Sequence, residues 1–337
     1  MTAPSARPVL SAVVLTFRRQ DLLVACLEAL TAALDDVPAQ TELIVVDNGS
    51  PDNAASAMIA RICPGAVVVT LPLNRGYAGG LNAGLQIAGG EWILTVGDDA
   101  TVQPGAVAAM LAAGSTASDV GAVAAKMLFA DPRRDRIINS AGLEIDRLGI
   151  AVDRLIGAPE DSGEHGLTEV FGVSGGAALY RRRMLDDIGG FDATFGVYLE
   201  DADIAWRARI GGWRSLYEPA AVVLHHHSAT TRHRSDYKSF HVGRNRVRML
   251  ARNATTSHLV RYAPLMLLYD LAYVAYGLAV DRTTAPLRGR ARGVLEWRRY
   301  RAGFARRDVQ LAPVRGLRAA LRRNAAVADR GGGEPPS

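Results

Sequence analysis

The sequence predicts an α/β fold, a Rossmann-like and mostly parallel sheet followed by a helical C-terminal extension. Two patterns predict it. Apolar runs of strand length alternate with segments of helical spacing as far as Asp99, and the charge changes sign near residue 224. With 337 residues and 49% hydrophobic composition the chain can bury a full core. Its net charge of +5 conceals a division: residues 1–224 carry 17 Lys+Arg against 27 Asp+Glu, a net of −10, and residues 225–337 carry 22 against 7, a net of +15. An acidic half with carboxylate clusters suits a divalent cation, and an arginine-rich half suits phosphate groups.

Taken in order, Val9 to Thr16 (VLSAVVLT) has strand length, and from Gln20 to Leu34 the residues Leu22, Leu23, Cys26, Leu27 and Leu30 recur at helical spacing. Glu42 to Asp47 is a second buried strand ending in an acid, and Asn48 to Asp52 is a turn that caps the next helix. Val67 to Leu71 makes a third strand, after which the Gly-rich Asn74 to Asn82 (NRGYAGGLN) opens another helix. Trp92 to Val96 is a fourth strand and ends at Gly97-Asp98-Asp99. This alternation implies right-handed crossovers, and ligands of such sheets bind beyond the carboxyl ends of the strands. Asp47, the Asn74 to Asn82 loop and Asp99 all fall at those ends, so three polar signals converge on one crevice.

Residues 131–170 mix charges with Gly and Pro and contain a hairpin around Gly142 to Val152. Phe171 to Tyr180 reads as a strand interrupted by small residues, a mark of close approach by a ligand or another backbone. Arg181 to Ile188 is a short helix. The run Gly190 to Arg207 (GFDATFGVYLEDADIAWR) then places three carboxylates, Glu200, Asp201 and Asp203, within four positions. Ile204, Ala205 and Ala208 face a core, which sets Glu200 and Asp201 at a helix N-terminus, where unpaired N–H groups and the dipole favour negative charge. Crowding raises the proton affinity of at least one of them, as a general base requires. Of His225, His226 and His227, at most two can serve one site, because adjacent side chains diverge.

Tyr262 to Val280 (YAPLMLLYDLAYVAYGLAV) is nearly continuously apolar, interrupted only by Asp270 and Gly277. Pro264 and Asp270 argue against a membrane span, and the four tyrosines favour an interface. Flanked by Arg261 and Arg282, the stretch predicts a helix or helical hairpin on an anionic membrane surface, with a buried core helix as the alternative. Cys26 and Cys63 show no pairing pattern, and the short polar N-terminus runs directly into a strand with no visible signal peptide. The expected location is therefore cytoplasmic, peripheral at the inner face of the cell membrane. The expected division is a catalytic domain over 1–230, a helical basic and apolar extension over 231–310, and a basic flexible tail over 311–337, disordered at 331–337. Nucleic-acid binding is disfavoured because no aromatic residues interleave with the basic ones. A dinucleotide oxidoreductase is disfavoured because the Gly-rich loop follows the third strand and not the first.

With these motifs laid out, the chain resembles glycosyltransferase family two, inverting enzymes of the GT-A (nucleotide-diphospho-sugar transferase) fold, and within it the rhamnosyltransferase-like members. The resemblance runs from about Val9 to Leu250. VVLTFRR is similar to the family's opening strand at the base, which implies donor contacts at Thr16 and Arg18, although the family usually has Asn where this chain has Arg18. LIVVDNGSPD resembles the strand and turn whose acid, here Asp47, holds the nucleobase or ribose side. LNRGYAGGLNAGL resembles the loop along the nucleotide sugar and implies Asn74, Gly76, Gly79, Gly80 and Asn82. SGGAALYRRRML, the Glu200-Asp201 run, PAAVVLHHHS and GRNRVRML match the acceptor loop, the catalytic-base helix, the metal-proximal histidine and a downstream Arg-Asn helix.

The resemblance thus implies Asp201 as catalytic base assisted by Glu200 and Asp203, and acceptor contacts at Gly175, Gly176, Trp206 and Arg207. It implies a divalent cation, Mg²⁺ or Mn²⁺, on Asp99 and His225. One departure matters: where the family often has Asp-x-Asp or Asn-Pro-Asp, this chain has Gly97-Asp98-Asp99, with Asp98 assigned to the donor. The implied activity is inverting transfer of a sugar, L-rhamnose from dTDP-rhamnose or a hexose from a UDP donor, to a hydroxyl of a lipid-linked or polysaccharide acceptor in cell-envelope glycan synthesis. The implied partners are that donor, that acceptor and an anionic membrane surface, with no nucleic acid; a homodimer is compatible. The competing reading is a non-catalytic, degenerate nucleotide-sugar-binding protein of the same fold, favoured by Gly97 and opposed by the intact acidic run.

Overall fold

The computed structural model of the chain describes residues 8–51, 54–226 and 235–315. The expected disorder of 331–337 and any role of His227 lie outside these. The chain begins with β1 (Leu10–Thr16), α1 (Gln20–Asp35), β2 (Thr41–Asp47), α2 (Ala54–Ile62), β3 (Val67–Thr70), α3 (Gly76–Ile87) and β4 (Trp92–Gly97). There follow β5 (Ala100–Val102), α4 (Ala106–Gly114), β6 (Val120–Phe129), β7 (Ile138–Ser140), β8 (Leu143–Ile145), β9 (Ala151–Asp153), β10 (Thr168–Val170) and β11 (Ala177–Arg181). The last elements are α5 (Arg182–Ile188), α6 (Glu200–Ile210), β12 (Arg214–His225), α7 (Asp236–Asn253), α8 (Thr256–Ala279), α9 (Ala285–Leu295) and α10 (Trp297–Arg301).

The main sheet runs β10-β12-β6-β11-β4-β1-β2-β3, with β5 added to β12 and β7 to β6. β3, β2, β1, β4, β6 and β12 share one direction, and β11 runs against its neighbours β4 and β6, so the sheet is mostly parallel as the alternation predicts. Every residue of β1 and β4 is buried, because helices cover both faces of a parallel sheet. The hairpin expected around 142–152 is present as β8 paired with β9. The strand expected over 171–180 starts only at Ala177; the small residues before it form a loop, and that loop frees Gly175 and Gly176 to line a cavity.

A third buried cluster joins Ile145 and Leu148 to Phe195, Ala202 and Trp206, and these to Met249, Leu250 and Tyr300. The C-terminal helices therefore share a core with α6. Within α8 only Met266 and Gly277 are buried, while Leu267, Leu268 and Leu271 are about three-fifths exposed, so α8 is not the buried core helix of the alternative reading. Its Asp270 faces the protein, 2.7 Å from both Arg246 Nη1 and Arg290 Nε. That polar tie fixes which side of the helix docks.

Candidate active site

A cavity of about 800 Å³ opens beyond the carboxyl ends of β1 and β4. Thr16, Asn48, Asn74, Gly76, Asp98, Asp99, Asn139, Asp153, Gly175, Gly176, Glu200, Asp201, His225 and Lys238 line it.

Asp99 and His225 meet because of strand pairing. β5 runs antiparallel to the end of β12 in the register His225↔Ala100, and the His226 N–H donates to the Asp99 carbonyl at 2.9 Å. These contacts bring His225 Nε2 to 3.4 Å from Asp99 Oδ1. Burial pushes the Asp99 carboxyl up, but the hydrogen bond and charge of His225 outweigh it and hold the group below its usual range. Asp98 faces β1 instead, accepting from Thr16 Oγ1 at 2.7 Å and from the Phe17 N–H at 3.3 Å. Burial raises its carboxyl to about 6.

A Cβ on Gly97 would lie 2.8 Å from Asp99 Oδ1. A side chain at this position would oblige the Asp99 carboxylate to turn aside, so glycine gives that carboxylate room beside His225. Two donor atoms 3.4 Å apart fit one cation at the ~2.1 Å ligand distances of Mg²⁺. Among the described residues no group of three or more His, Cys, Asp or Glu forms a cation site. A cation on Asp99 and His225 would complete its shell with diphosphate oxygens and water, as Mg²⁺ at phosphate-transfer sites commonly does.

Asp201 stands in the first turn of α6, whose acids lie in the first turn and whose Arg207 and Arg209 lie in the last, matching the helix dipole. Its Oδ1 accepts from the Ala202 N–H at 2.7 Å and its Oδ2 from the Gly175 N–H at 3.2 Å. Burial, then the charge of Asp153, pushes Asp201 up to about 6. Burial drives neighbouring Glu200 well above the usual carboxyl range, and its Oε2 has no hydrogen-bond partner among the described residues. Two non-glycine residues with positive φ, Tyr198 at 70° and Leu199 at 65°, introduce α6. Such backbone persists only where its surroundings hold it. Asn245 on α7 does so, with Nδ2 donating to the carbonyls of Phe195, Val197 and Tyr198 at 2.9, 3.0 and 2.8 Å.

Eight sequence-predicted residues lie away from the cavity lining. Arg18 is exposed, and its N–H donates to Ser50 Oγ. Asp47 accepts from the Ser50 N–H at 3.0 Å, one residue before the lining Asn48. Gly79 packs against Arg75, Gly80 packs against Leu15, and the Asn82 amide donates to the Phe191 carbonyl at 2.8 Å, so these three serve helix packing. Trp206 is buried against Phe171, and Arg207 binds Asp203 and the carbonyls of Ile188 and Gly190. Asp203 is fully buried, held by Arg207, Arg252 and Asn253.

The cavity also contains residues that the sequence did not single out. The Tyr77 hydroxyl donates to the Gly175 carbonyl. The Lys238 ammonium lies 5.5 Å from the centre of the Tyr198 ring, and burial holds it below the usual lysine range. Lys238 is one of only two lysines in the chain, a signal that was available; Asn139 and Asp153 come from the irregular stretch and had none.

The cavity beyond the strand ends thus holds a buried carboxylate at a helix start and an Asp–His pair, on a mostly parallel sheet of GT-A fold. The family model "Glycosyl transferase family 2" matches residues 11–189, and the chain belongs to this family of glycosyltransferases. An N-acetylglucosaminyl-diphospho-decaprenol L-rhamnosyltransferase of Mycobacterium tuberculosis is 27% identical over 212 residues, 56% of this chain and 67% of the relative. An O-antigen biosynthesis protein of Myxococcus xanthus is 26% identical over 217 residues, 61% of this chain but only 17% of that much longer protein. Among solved structures, GalNAc-T7 with UDP, GalNAc and Mn²⁺ superposes with a TM-score of 0.59 at 13% identity, covering 88% of this chain and 57% of that one, a likeness of fold.

Proposed function

We propose that the chain is an inverting glycosyltransferase of cell-envelope glycan synthesis, moving a sugar from a nucleotide diphosphate to a hydroxyl of a lipid-linked or polysaccharide acceptor. L-Rhamnose from dTDP-rhamnose is the leading donor and UDP-hexoses come next. The observation that carries this reading is the presence of Asp201 and the Asp99–His225 pair in one cavity. The name of the mycobacterial relative specifies L-rhamnose and a diphospho-decaprenol saccharide, which supports a lipid-diphosphate-linked acceptor here.

In the proposed reaction Asp201 accepts the proton of the acceptor hydroxyl. The hydroxyl oxygen attacks the anomeric carbon opposite the leaving nucleotide diphosphate, so that one C–O bond forms, one breaks and configuration inverts. Asp99 and His225 would hold a divalent cation, Mg²⁺ or Mn²⁺, which when bound neutralises charge on the departing diphosphate. Glu200, beside the base, positions the acceptor. A thermal-shift series tests the donor. At saturation dTDP-rhamnose with Mn²⁺ is expected to stabilise the chain by about 2–3 kcal/mol, and EDTA is expected to remove most of that gain. A folded protein that no dTDP-, UDP- or GDP-sugar stabilises would sink the donor assignment.

For the location, α8 is apolar and long enough to cross a membrane by length and composition, yet Asp270 ties one side of it to Arg246 and Arg290. This supports a helix lying at the cytoplasmic membrane surface, with Leu267, Leu268 and Leu271 toward the acyl chains and Arg261 and Arg282 toward anionic headgroups. Full-length protein is expected to float with vesicles containing phosphatidylglycerol, and the double variant Leu267→Glu, Leu271→Glu is expected to stay behind. Equal flotation of the two would dismiss α8 as the contact.

A further inference from the structure

We propose that Asn139 is the positioning residue of the cation site: its amide oxygen fixes the His225 ring so that Nε2 faces Asp99, and its amide nitrogen donates to an anionic oxygen of the diphosphate. The inference rests on the reading of Asp99 and His225 as cation ligands and assigns a residue that this reading does not contain.

The sheet delivers Asn139 to this place. β12 pairs with β6 through Met127 and Leu128, and β7 pairs with the same two residues, so β12 and β7 flank β6 on opposite edges. The β7 register breaks between Met127↔Ser140 and Leu128↔Ile138. Asn139 falls at that break, without a partner of its own across the ladder, and its side chain reaches His225. Asn139 is 1% exposed and lines the cavity.

Asn139 Oδ1 lies 2.8 Å from His225 Nδ1. An amide oxygen carries no hydrogen, so Nδ1 must be the donor. With the Nδ1 hydrogen held by Asn139, a cation entering between His225 and Asp99 displaces the hydrogen on Nε2, and the lone pair it meets is that of Nε2, the nitrogen 3.4 Å from Asp99 Oδ1. This is how an outer carbonyl fixes the tautomer and direction of a metal-bound imidazole. The other end of the amide supplies the second observation: Asn139 Nδ2 is buried and has no hydrogen-bond partner among the described residues. A buried donor calls for an acceptor, and the acceptor that the proposed chemistry brings into this cavity is a phosphate oxygen.

The test uses the full chain and needs no turnover. MnCl₂ titration followed by the paramagnetic resonance of free Mn²⁺ is expected to show Asn139→Leu weakened by about 10–100-fold, toward the level of His225→Ala. Asn139→Ser, too short to reach Nδ1, carries the same expectation should the leucine variant not fold. Asn139→Asp still accepts from Nδ1 and is expected to keep Mn²⁺ affinity within about threefold, while binding added inorganic pyrophosphate at least about tenfold more weakly, because its donor has become a repelling acceptor. With the diamagnetic Mg²⁺ bound, the ¹⁵N resonances of His225 are expected to report the Nδ1–H tautomer in the unaltered chain and to lose that preference in Asn139→Leu. Unchanged Mn²⁺ affinity in the folded leucine or serine variant, with His225→Ala weakened, overturns the role of Asn139 alone. Unchanged affinity in His225→Ala as well overturns the cation reading, and this inference with it.

Discussion

Replacing Asp201 by asparagine is expected to lower turnover by about 10²–10⁴-fold while leaving nucleotide-sugar affinity within about threefold. The substitution removes the only feature of the group that the proposed proton transfer needs, a basic oxygen, and keeps its shape. It is not structurally silent. Asp201 accepts from two backbone N–H groups, those of Ala202 and Gly175, and an amide offers one oxygen, so one N–H loses its acceptor at a cost of about 1–3 kcal/mol. Melting curves must therefore accompany the kinetics. The pH profile gives an independent sign. Burial and Asp153 push Asp201 up to about 6, and a base works ionised, so activity is present above that value and lost as pH falls through it. In the unaltered chain kcat/KM is expected to fall about tenfold per pH unit below the value of about 6, and Asp201→Asn is expected to lack this limb. Turnover within a few-fold of the unaltered chain, or loss of donor binding, would remove Asp201 from the role of base.

The parallel half of the sheet was legible because burial on both faces turns β1 and β4 into largely apolar runs, a signal carried by neighbouring residues alone. The order of motifs was legible too, and it led to Asp99, Asp201 and His225. What sequence spacing could not supply was direction. Glu200, Asp201 and Asp203 looked like one acidic cluster, yet residues two apart on a helix point about 200° apart, so Asp201 and Asp203 cannot share a cavity. That much could have been argued from the helical period. Asn139 could not: it reaches His225 through a register break in β7, a tertiary event with no trace in local periodicity. The close approach of Gly97 to Asp99 Oδ1 was hidden for a related reason, since it depends on how the turn after β4 folds back. The Arg-Asn helix was recognised as a motif, but its purpose, Asn245 gripping three carbonyls ahead of α6, belongs to packing.

Asp203→Asn is expected to destabilise the fold by about 3–5 kcal/mol, since it removes one partner from a buried ion network. Asp203 is fully buried, with Oδ2 2.8 Å from Arg207 Nε and 2.9 Å from Arg252 Nη1, and Oδ1 2.9 Å from Asn253 Nδ2. Arg252 also pairs with Asp192 and lies 5.7, 5.3 and 4.5 Å from the ring centres of Phe195, Tyr300 and Phe304. Neutralising Asp203 leaves two guanidinium groups in a low-dielectric setting with Asp192 as the remaining carboxylate on Arg252. The network ties α6 to α7 and to the segment ahead of α6, so the loss falls on the elements that carry Asp201. The melting temperature is expected to drop by on the order of 10 °C. Below that new midpoint, the folded variant is expected to bind the nucleotide sugar normally, because Asp203 lies outside the cavity lining. Turnover is expected to fall far less than in Asp201→Asn, and the acid limb set by Asp201 is expected to remain. Those two readouts separate a structural tie from a chemical role. A variant that melts with the unaltered chain but has lost turnover would return Asp203 to the chemistry.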